Sequence, residues 1–430
     1  MRVNIDYAIA IQNNGSSGST LLHSLLDNHP KILSLPMLWG NEFYSVWERS
    51  KPENIQQLLN IIEINFKYFF DKSHSDDGLN NMGKDQDKTI CVSKKEFFKN
   101  IKNYFLYNSL SRKNFVLSIY YSFNKIYYTN LSKKNFICYP IHSQNKNIAK
   151  MLLEDFSKVQ FIYTIRNPIK NIGSIIKHLG NNYEKLPYLN IKNLAYSAVD
   201  QVLNDNIHHF SYEKYFTHGT KFFFPDDKNV KNLYVKLEDL HTGKKYIKKL
   251  CKKIDLEWNS SLLTSTFMGL KWHNRKESLR VSGFSQKIID QNYPEQLSEF
   301  DILRISQITN KFCKKFKYPL SKNKMNIFFY FFCVWKKFKC ENNYISNELE
   351  NKYFSTINNN NMIEKVKIFF SLKFQKSIIF KNIIIKVLEN IKVSYLIKFL
   401  KILKKYNKFK QFILFRFFLI KSHYSNVLTK

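Results

Sequence analysis

The sequence predicts an α/β fold, a central parallel sheet covered by helices on both faces, followed by a helical C-terminal extension. Three observations carry this expectation. Segments rich in β-branched and aromatic residues alternate with amphipathic helical patterns over residues 6–254. The strongest apolar segment, residues 159–165 (Val-Gln-Phe-Ile-Tyr-Thr-Ile), is nearly continuous rather than alternating, as in a strand buried on both sides. Beyond about residue 320 the strand patterns give way to Lys interleaved with Phe, Ile and Leu at helical spacing.

Residues 6–12 read as the first strand. A Gly/Ser segment follows, and then Leu21, Leu22, Leu25 and Leu26 recur on one face of a helix that Asn28-His29-Pro30 stops. Residues 32–35 form a short second strand, and residues 50–130 carry mainly helical patterns broken by a polar loop at 73–88. The third strand lies at 136–139 and the fourth at 159–165. Pro168 is well placed in the first turn of a helix running to Leu179. A fifth strand at 233–237 precedes a Lys-rich helix over 244–254. Right-handed crossovers put the loops after these strands on one edge of the sheet, where ligands bind in such folds. The expected organisation is one α/β domain over residues 1–320 and a basic, aromatic-rich extension over 321–430.

The 430 residues include 68 Lys plus Arg against 34 Asp plus Glu, a formal charge of +34. Hydrophobic residues make up 44%, ample for a core, which excludes a wholly disordered chain. Six cysteines, at 91, 138, 251, 313, 333 and 340, form no CxxC pair and no zinc spacing. That excludes a disulfide scaffold and points to reduced thiols and to no metal site. Sixty of the basic residues are Lys and eight are Arg, Gly and Pro number 11 and 9, and Asn, Ile, Phe and Tyr abound. Residues with A/T-rich codons dominate, so nucleotide bias accounts for the profile without a selected polyanionic partner. No RNP, helix-turn-helix or zinc-finger pattern marks nucleic-acid binding. Residues 321–430 hold 22 Lys plus Arg and 5 Asp plus Glu, a net of +17 and half of the excess. No run approaches the ~18 apolar residues that span a bilayer, and the opening residues show no signal-peptide cleavage site, so the location expected is cytoplasmic.

Against this background the few Gly and Arg stand out. Gly15-Ser16-Ser17-Gly18-Ser19-Thr20 joins the first strand to the first helix. A Gly/Ser/Thr turn at a helix N-terminus offers backbone N–H groups, hydroxyls and the positive end of the helix dipole, a cradle for phosphate; the same residues also make a capped tight turn. A Walker loop would need Lys before the final Ser/Thr, and none is present, which disfavours an ATP or GTP hydrolase. Arg166-Asn167-Pro168 ends the strongest strand, with Ser174 eight residues on. Arg grips phosphate through a rigid fork, and a hydroxyl two turns into the following helix suits the same anion.

These segments resemble the sulfotransferases that use 3′-phosphoadenosine 5′-phosphosulfate (PAPS). That family carries a [Arg/Lys]-Ser-Gly-[Ser/Thr]-[Ser/Thr]-Leu-Leu loop after strand one and a strand ending in Arg-[Asn/Asp]-Pro with a Ser eight residues after the Arg. This chain has Ser17-Gly18-Ser19-Thr20-Leu21-Leu22 and Arg166-Asn167-Pro168 with Ser174, and Tyr234-Val235-Lys236-Leu237-Glu238-Asp239-Leu240 is similar to a later strand plus Glu-Asp-Leu of many family members. The resemblance covers roughly residues 5–290. It implies a nucleotide-kinase-like, P-loop-like three-layer fold, with Gly15–Thr20 on the donor's 5′-phosphosulfate and Arg166 and Ser174 on its 3′-phosphate. It further implies that a basic loop closes over the 3′-phosphate, here Arg275, Lys276 and Arg280. One departure stands out: Ser16 occupies the position where the family has Arg or Lys beside the leaving oxygen, and a neutral hydroxyl stabilises developing charge less than a cation.

Transfer to a hydroxyl needs a base. Glu42 follows strand two, where some branches carry their catalytic Glu, and His142 follows strand three, where others carry a His. The function expected is movement of a sulfuryl group from PAPS to an acceptor hydroxyl, on a carbohydrate or glycolipid, with PAP as co-product. Two other readings stand beside it. One is a catalytically inactive nucleotide-binding or scaffold member of the fold, for which Ser16 speaks. The other is a basic peripheral-membrane protein acting through its amphipathic tail.

Overall fold

The computed structural model describes residues 5–13, 15–36, 39–72, 79–142, 145–181, 218–228, 230–273, 283–285, 297 and 299–319. The chain divides into two compact units, the first made of residues 1–166 and 214–292, the second of residues 167–213 and 293–430. The extension at 321–430 and the basic triplet Arg275, Lys276 and Arg280 lie outside the described residues.

The first unit is built on a five-stranded sheet whose strands are β1 (Tyr7–Asn13), β2 (Ile32–Leu33), β3 (Phe136–His142), β4 (Lys158–Ile165) and β5 (Val230–Lys236). Their order is β2-β3-β1-β4-β5 and every pairing is parallel, as expected of the α/β fold. β1 is central because its side chains alternate to suit two different layers. Ala8 and Ala10 face an aromatic-rich core with Phe43, Phe66, Phe69, Phe97, Phe115 and Phe123, while Ile9 and Ile11 face Leu22, Leu25 and Leu250.

Helices α1 (Ser19–Leu26), α8 (Leu237–Leu240) and α9 (Lys244–Lys253) cover the second of these faces. The aromatic face is covered by α2 (Phe43–Ser50), α3 (Ile55–Asn65), α4 (Lys94–Phe105), α5 (Arg112–Tyr127) and α6 (Lys146–Asp155). The crossover from β1 to β2 therefore runs on one face and that from β3 to β4 on the other. Strand order reverses at β1, and the crevice outside its C-terminal end is the place where such sheets bind ligands.

β2 is shorter than the expected 32–35, β1 is shifted by one residue from 6–12, and β3, β4 and β5 run longer than their sequence patterns. β3 continues past Tyr139 through Pro140 to His142, because β2 is two residues long and leaves the far end of β3 laddered to β1 alone. β5 begins at Val230, three residues before the apolar run, since its edge position tolerates Lys231 and Asn232. A two-residue hairpin was not legible: β6 (Thr266–Phe267) pairs with β7 (Leu270–Lys271) across Met268 and Gly269, both at positive φ. In the second unit, α7 (Pro168–Asn181), α10 (Glu299–Ile308) and α11 (Asn310–Phe316) are described.

Asp27, the C-cap of α1, ties this hairpin down. Its Oδ2 accepts hydrogen bonds from Thr266 Oγ1 and the Gly269 N–H, both at 3.0 Å. Full burial pushes its pKa up to about 6, against the pull of these donors and of Lys134. The carboxyl thus binds its proton more tightly folded than unfolded, so it favours the folded state below about pH 4 and loses that contribution as pH rises through about 6. Relative to Asp27→Asn, the wild-type chain should lose about 3 kcal/mol of stability between pH 4 and pH 8, read by urea unfolding at stepped pH. Parallel curves for the two proteins would refute it.

Candidate active site at the C-terminal ends of β1, β3 and β4

Parallel register brings the sequence candidates of the first unit to one edge. β1 ends at Asn13, which pairs with His142 at the end of β3, while Ile165, the last residue of β4, pairs with Lys236 of β5. The Gly15–Thr20 loop leaves β1 here and Arg166 leaves β4 here.

The loop is shaped by local constraints. Ser16 sits at φ 58° and Gly18 at φ 94° as the N-cap of α1, without a side-chain cap. At Gly18 a side chain is excluded twice, by its left-handed backbone and by the Leu237 side chain, which occupies the space of a Cβ. Ser17 is buried, and its hydroxyl pairs with that of Thr164 at 2.8 Å, fastening the loop to β4. Gly15 and Ser16 are exposed, Ser19 is buried, and Gly18 and Thr20 are half-buried.

Arg166 is buried, and its guanidinium Nη1 donates to the Ser16 carbonyl at 3.3 Å. The two phosphate-binding candidates of this unit, far apart in sequence, are thus in direct contact. A guanidinium on a loop carbonyl both holds the loop and sets a fixed positive charge at its mouth. His241, just after α8, responds to it: burial and then the Arg166 charge press its pKa down to about 4. Ser174 lies half-buried on α7, in the second unit.

The two base candidates also come to one place. A 3₁₀ turn, Trp39–Glu42, packs at the end of β3, and the His142 N–H donates to Asn41 Oδ1 at 2.7 Å. Glu42 is exposed and immediately follows this anchor. Gly40 is required in the turn because a Cβ there would press on Tyr120 Oη at 2.8 Å. The His142 ring has a solvent-accessible side, yet enough protein crowds it to hold its pKa below the ordinary histidine value. His142 is therefore neutral at neutral pH and able to take a proton.

Sequence reasoning missed Thr164, Asn41 and His241. Thr164 had a signal, a hydroxyl inside an otherwise apolar strand. Asn41 and His241 had none beyond their neighbours, because their roles rest on hydrogen bonds between distant segments.

Among the described residues no group of three or more His, Cys, Asp or Glu side chains comes together as a metal site, and no helix is long and apolar enough to cross a membrane. Cys91, Cys138, Cys251 and Cys313 are free thiols.

Comparison with known proteins gives no match to any family model and none to any curated protein. Among solved structures, the sulfotransferase domain from the curacin biosynthetic pathway is 16% identical at TM-score 0.40, with 74% of this chain and 100% of that one covered. The sulfotransferase domain of the Synechococcus PCC 7002 olefin synthase is 15% identical at TM-score 0.33, with 74% and 97% covered. Sulfotransferase STF9 from Mycobacterium avium is 11% identical at TM-score 0.35, with 75% and 79% covered. The architecture itself stands on the strand order and register described above.

Gly18→Ala should lower stability by about 1–3 kcal/mol through backbone strain and the displacement of Leu237, measured by urea unfolding. A change below about 0.5 kcal/mol would show that the loop relaxes freely.

Proposed function

We propose that the chain is a PAPS-dependent sulfotransferase that moves a sulfuryl group to an acceptor hydroxyl, on a carbohydrate or glycolipid. One observation supports this most. The Gly/Ser/Thr loop at the N-terminus of α1 and the buried Arg166 meet at the switch point of a parallel sheet, joined by the guanidinium–Ser16 hydrogen bond. Two anion-binding devices in contact suit a donor carrying two phosphate groups better than a single phosphate. Ser17–Thr20 would cradle the 5′-phosphosulfate, and Arg166, with Ser174 as the motif implies, would hold the 3′-phosphate.

In the reaction the acceptor oxygen attacks sulfur in line with the bridging oxygen. A new O–S bond forms, the S–O bond to the 5′-phosphate breaks, PAP leaves with the electron pair, and the acceptor's proton passes to a base. His142 suits that role because its ring is neutral and stands beside the β1 loop, and Glu42 is held next to it through Asn41. The net positive charge of the chain would draw the polyanionic donor toward this edge. The tail at 321–430 would contribute peripheral contact with an anionic membrane surface rather than chemistry.

Ser16 supports a second reading, a nucleotide-binding member without turnover, since the exposed loop position beside the leaving oxygen carries no cation. Calorimetry with PAP tests the nucleotide assignment. Wild type should bind at low salt, and Arg166→Ala should bind about 100-fold more weakly, a loss of about 3 kcal/mol. Undetectable wild-type binding would overturn the reading, and an unchanged Arg166→Ala affinity would overturn the 3′-phosphate assignment. Sulfated product formed from labelled PAPS over a glycan panel separates the two readings. Ser16→Lys should raise turnover by about tenfold or more, whereas intact PAP binding with no product from either protein supports the inactive one.

A further inference from the structure

Among the described residues near this edge, His241 has incomplete hydrogen bonding. It follows α8 directly, beyond the end of β5, and its residue is 6% exposed. Its Nδ1 accepts the backbone N–H of Ser285 at 2.9 Å. Nδ1 therefore carries the lone pair, and in the neutral ring the proton sits on Nε2. That Nε2 is buried and has no hydrogen-bond partner among the described residues.

A buried N–H without an acceptor is costly, and folded proteins supply one from the chain, a water or a ligand. The missing partner must be an acceptor, and it must tolerate the buried Arg166 guanidinium, whose charge reaches this imidazole. An anionic oxygen meets both conditions best, since it accepts the proton and is attracted by the cation. The surroundings narrow the choice. Leu237, at the start of α8, packs against Gly18 of the phosphate-loop candidate. Ile165 and Lys236, which precede Arg166 and α8, are register partners. Ser285 orients the ring through its backbone N–H.

We propose that His241 is a binding residue for the donor's 3′-phosphate, its Nε2–H donating to a phosphate oxygen that Arg166 also holds. This rests on the PAPS reading and adds to it a neutral donor that the family motif does not contain. A neutral donor beside a fixed cation adds direction to charge: the guanidinium attracts any anion, whereas the imidazole N–H requires an oxygen at one position. The site would thus distinguish a 3′,5′-bisphosphate nucleotide from a 5′-monophosphate.

Two measurements on the full chain test this. In nitrogen-resolved imidazole spectra of the wild type, saturation with PAP should shift the His241 Nε2 resonance and slow exchange of its proton with water. An unchanged resonance at saturation would overturn the proposal and assign that proton to water or to nothing. By calorimetry, His241→Phe should weaken PAP binding about 10- to 100-fold while leaving 5′-AMP binding within about twofold. Equal PAP affinity in the variant, or equal loss for both nucleotides, would also overturn it. If the wild type binds no PAP, the PAPS reading fails by itself. Inorganic phosphate in the same spectra then decides His241: a shift at Nε2 supports an anion site, and silence overturns it.

Discussion

Parallel pairing of β1 on both sides is the constraint from which the rest follows. Seven residues of β1 pair with β3 and six pair with β4, in registers that bring the C-terminal ends of all three strands to one edge. That alignment converts sequence distance into proximity, so that residue 16 touches residue 166 and residue 142 stands beside residue 13. The alternation Ala8-Ile9-Ala10-Ile11 makes the double pairing possible, because it offers small side chains to the crowded aromatic layer and larger ones to the layer of α1. A slip of one residue in β1 would turn both sets to the wrong face and separate the loop from Arg166.

Much of the framework was legible because it depends on local patterns. Five strands, the helix after the Gly/Ser loop and the helix opened by Pro168 follow from periodicity and punctuation. The loop and Arg166 stood out as anion-binding candidates because Gly and Arg are scarce in a Lys-rich chain. What escaped depends on long-range partners. The β6–β7 hairpin is held by Asp27, more than two hundred residues earlier, and its Met-Gly turn is a weak local signal. Asn41, Thr164 and His241 acquire meaning only when their partners at 142, 17 and 285 are in place.

The electrostatics of the edge differ from those of the chain. A charge of +34 is carried mostly by lysine, and salt screens the field of exposed charges over about 10 Å. Arg166 is buried, where screening is weak, and its charge adds to burial in holding His241 below the ordinary histidine pKa. The fixed positive charge at this edge therefore comes from few groups, Arg166 foremost, whatever the abundance of lysine in the chain.

The discontinuous make-up of the first unit has a consequence for synthesis. The chain leaves this unit after Arg166 and returns at residue 214, and β5 begins only at Val230. On the ribosome, at roughly 5–20 residues per second, several seconds pass between the emergence of Arg166 and that of the strand and His241 that complete its surroundings. During that interval β4 is an unprotected edge with an apolar, β-rich sequence, open to pairing with another nascent chain. Arg166 thus marks the start of a stretch of translation in which the growing sheet carries an uncovered edge.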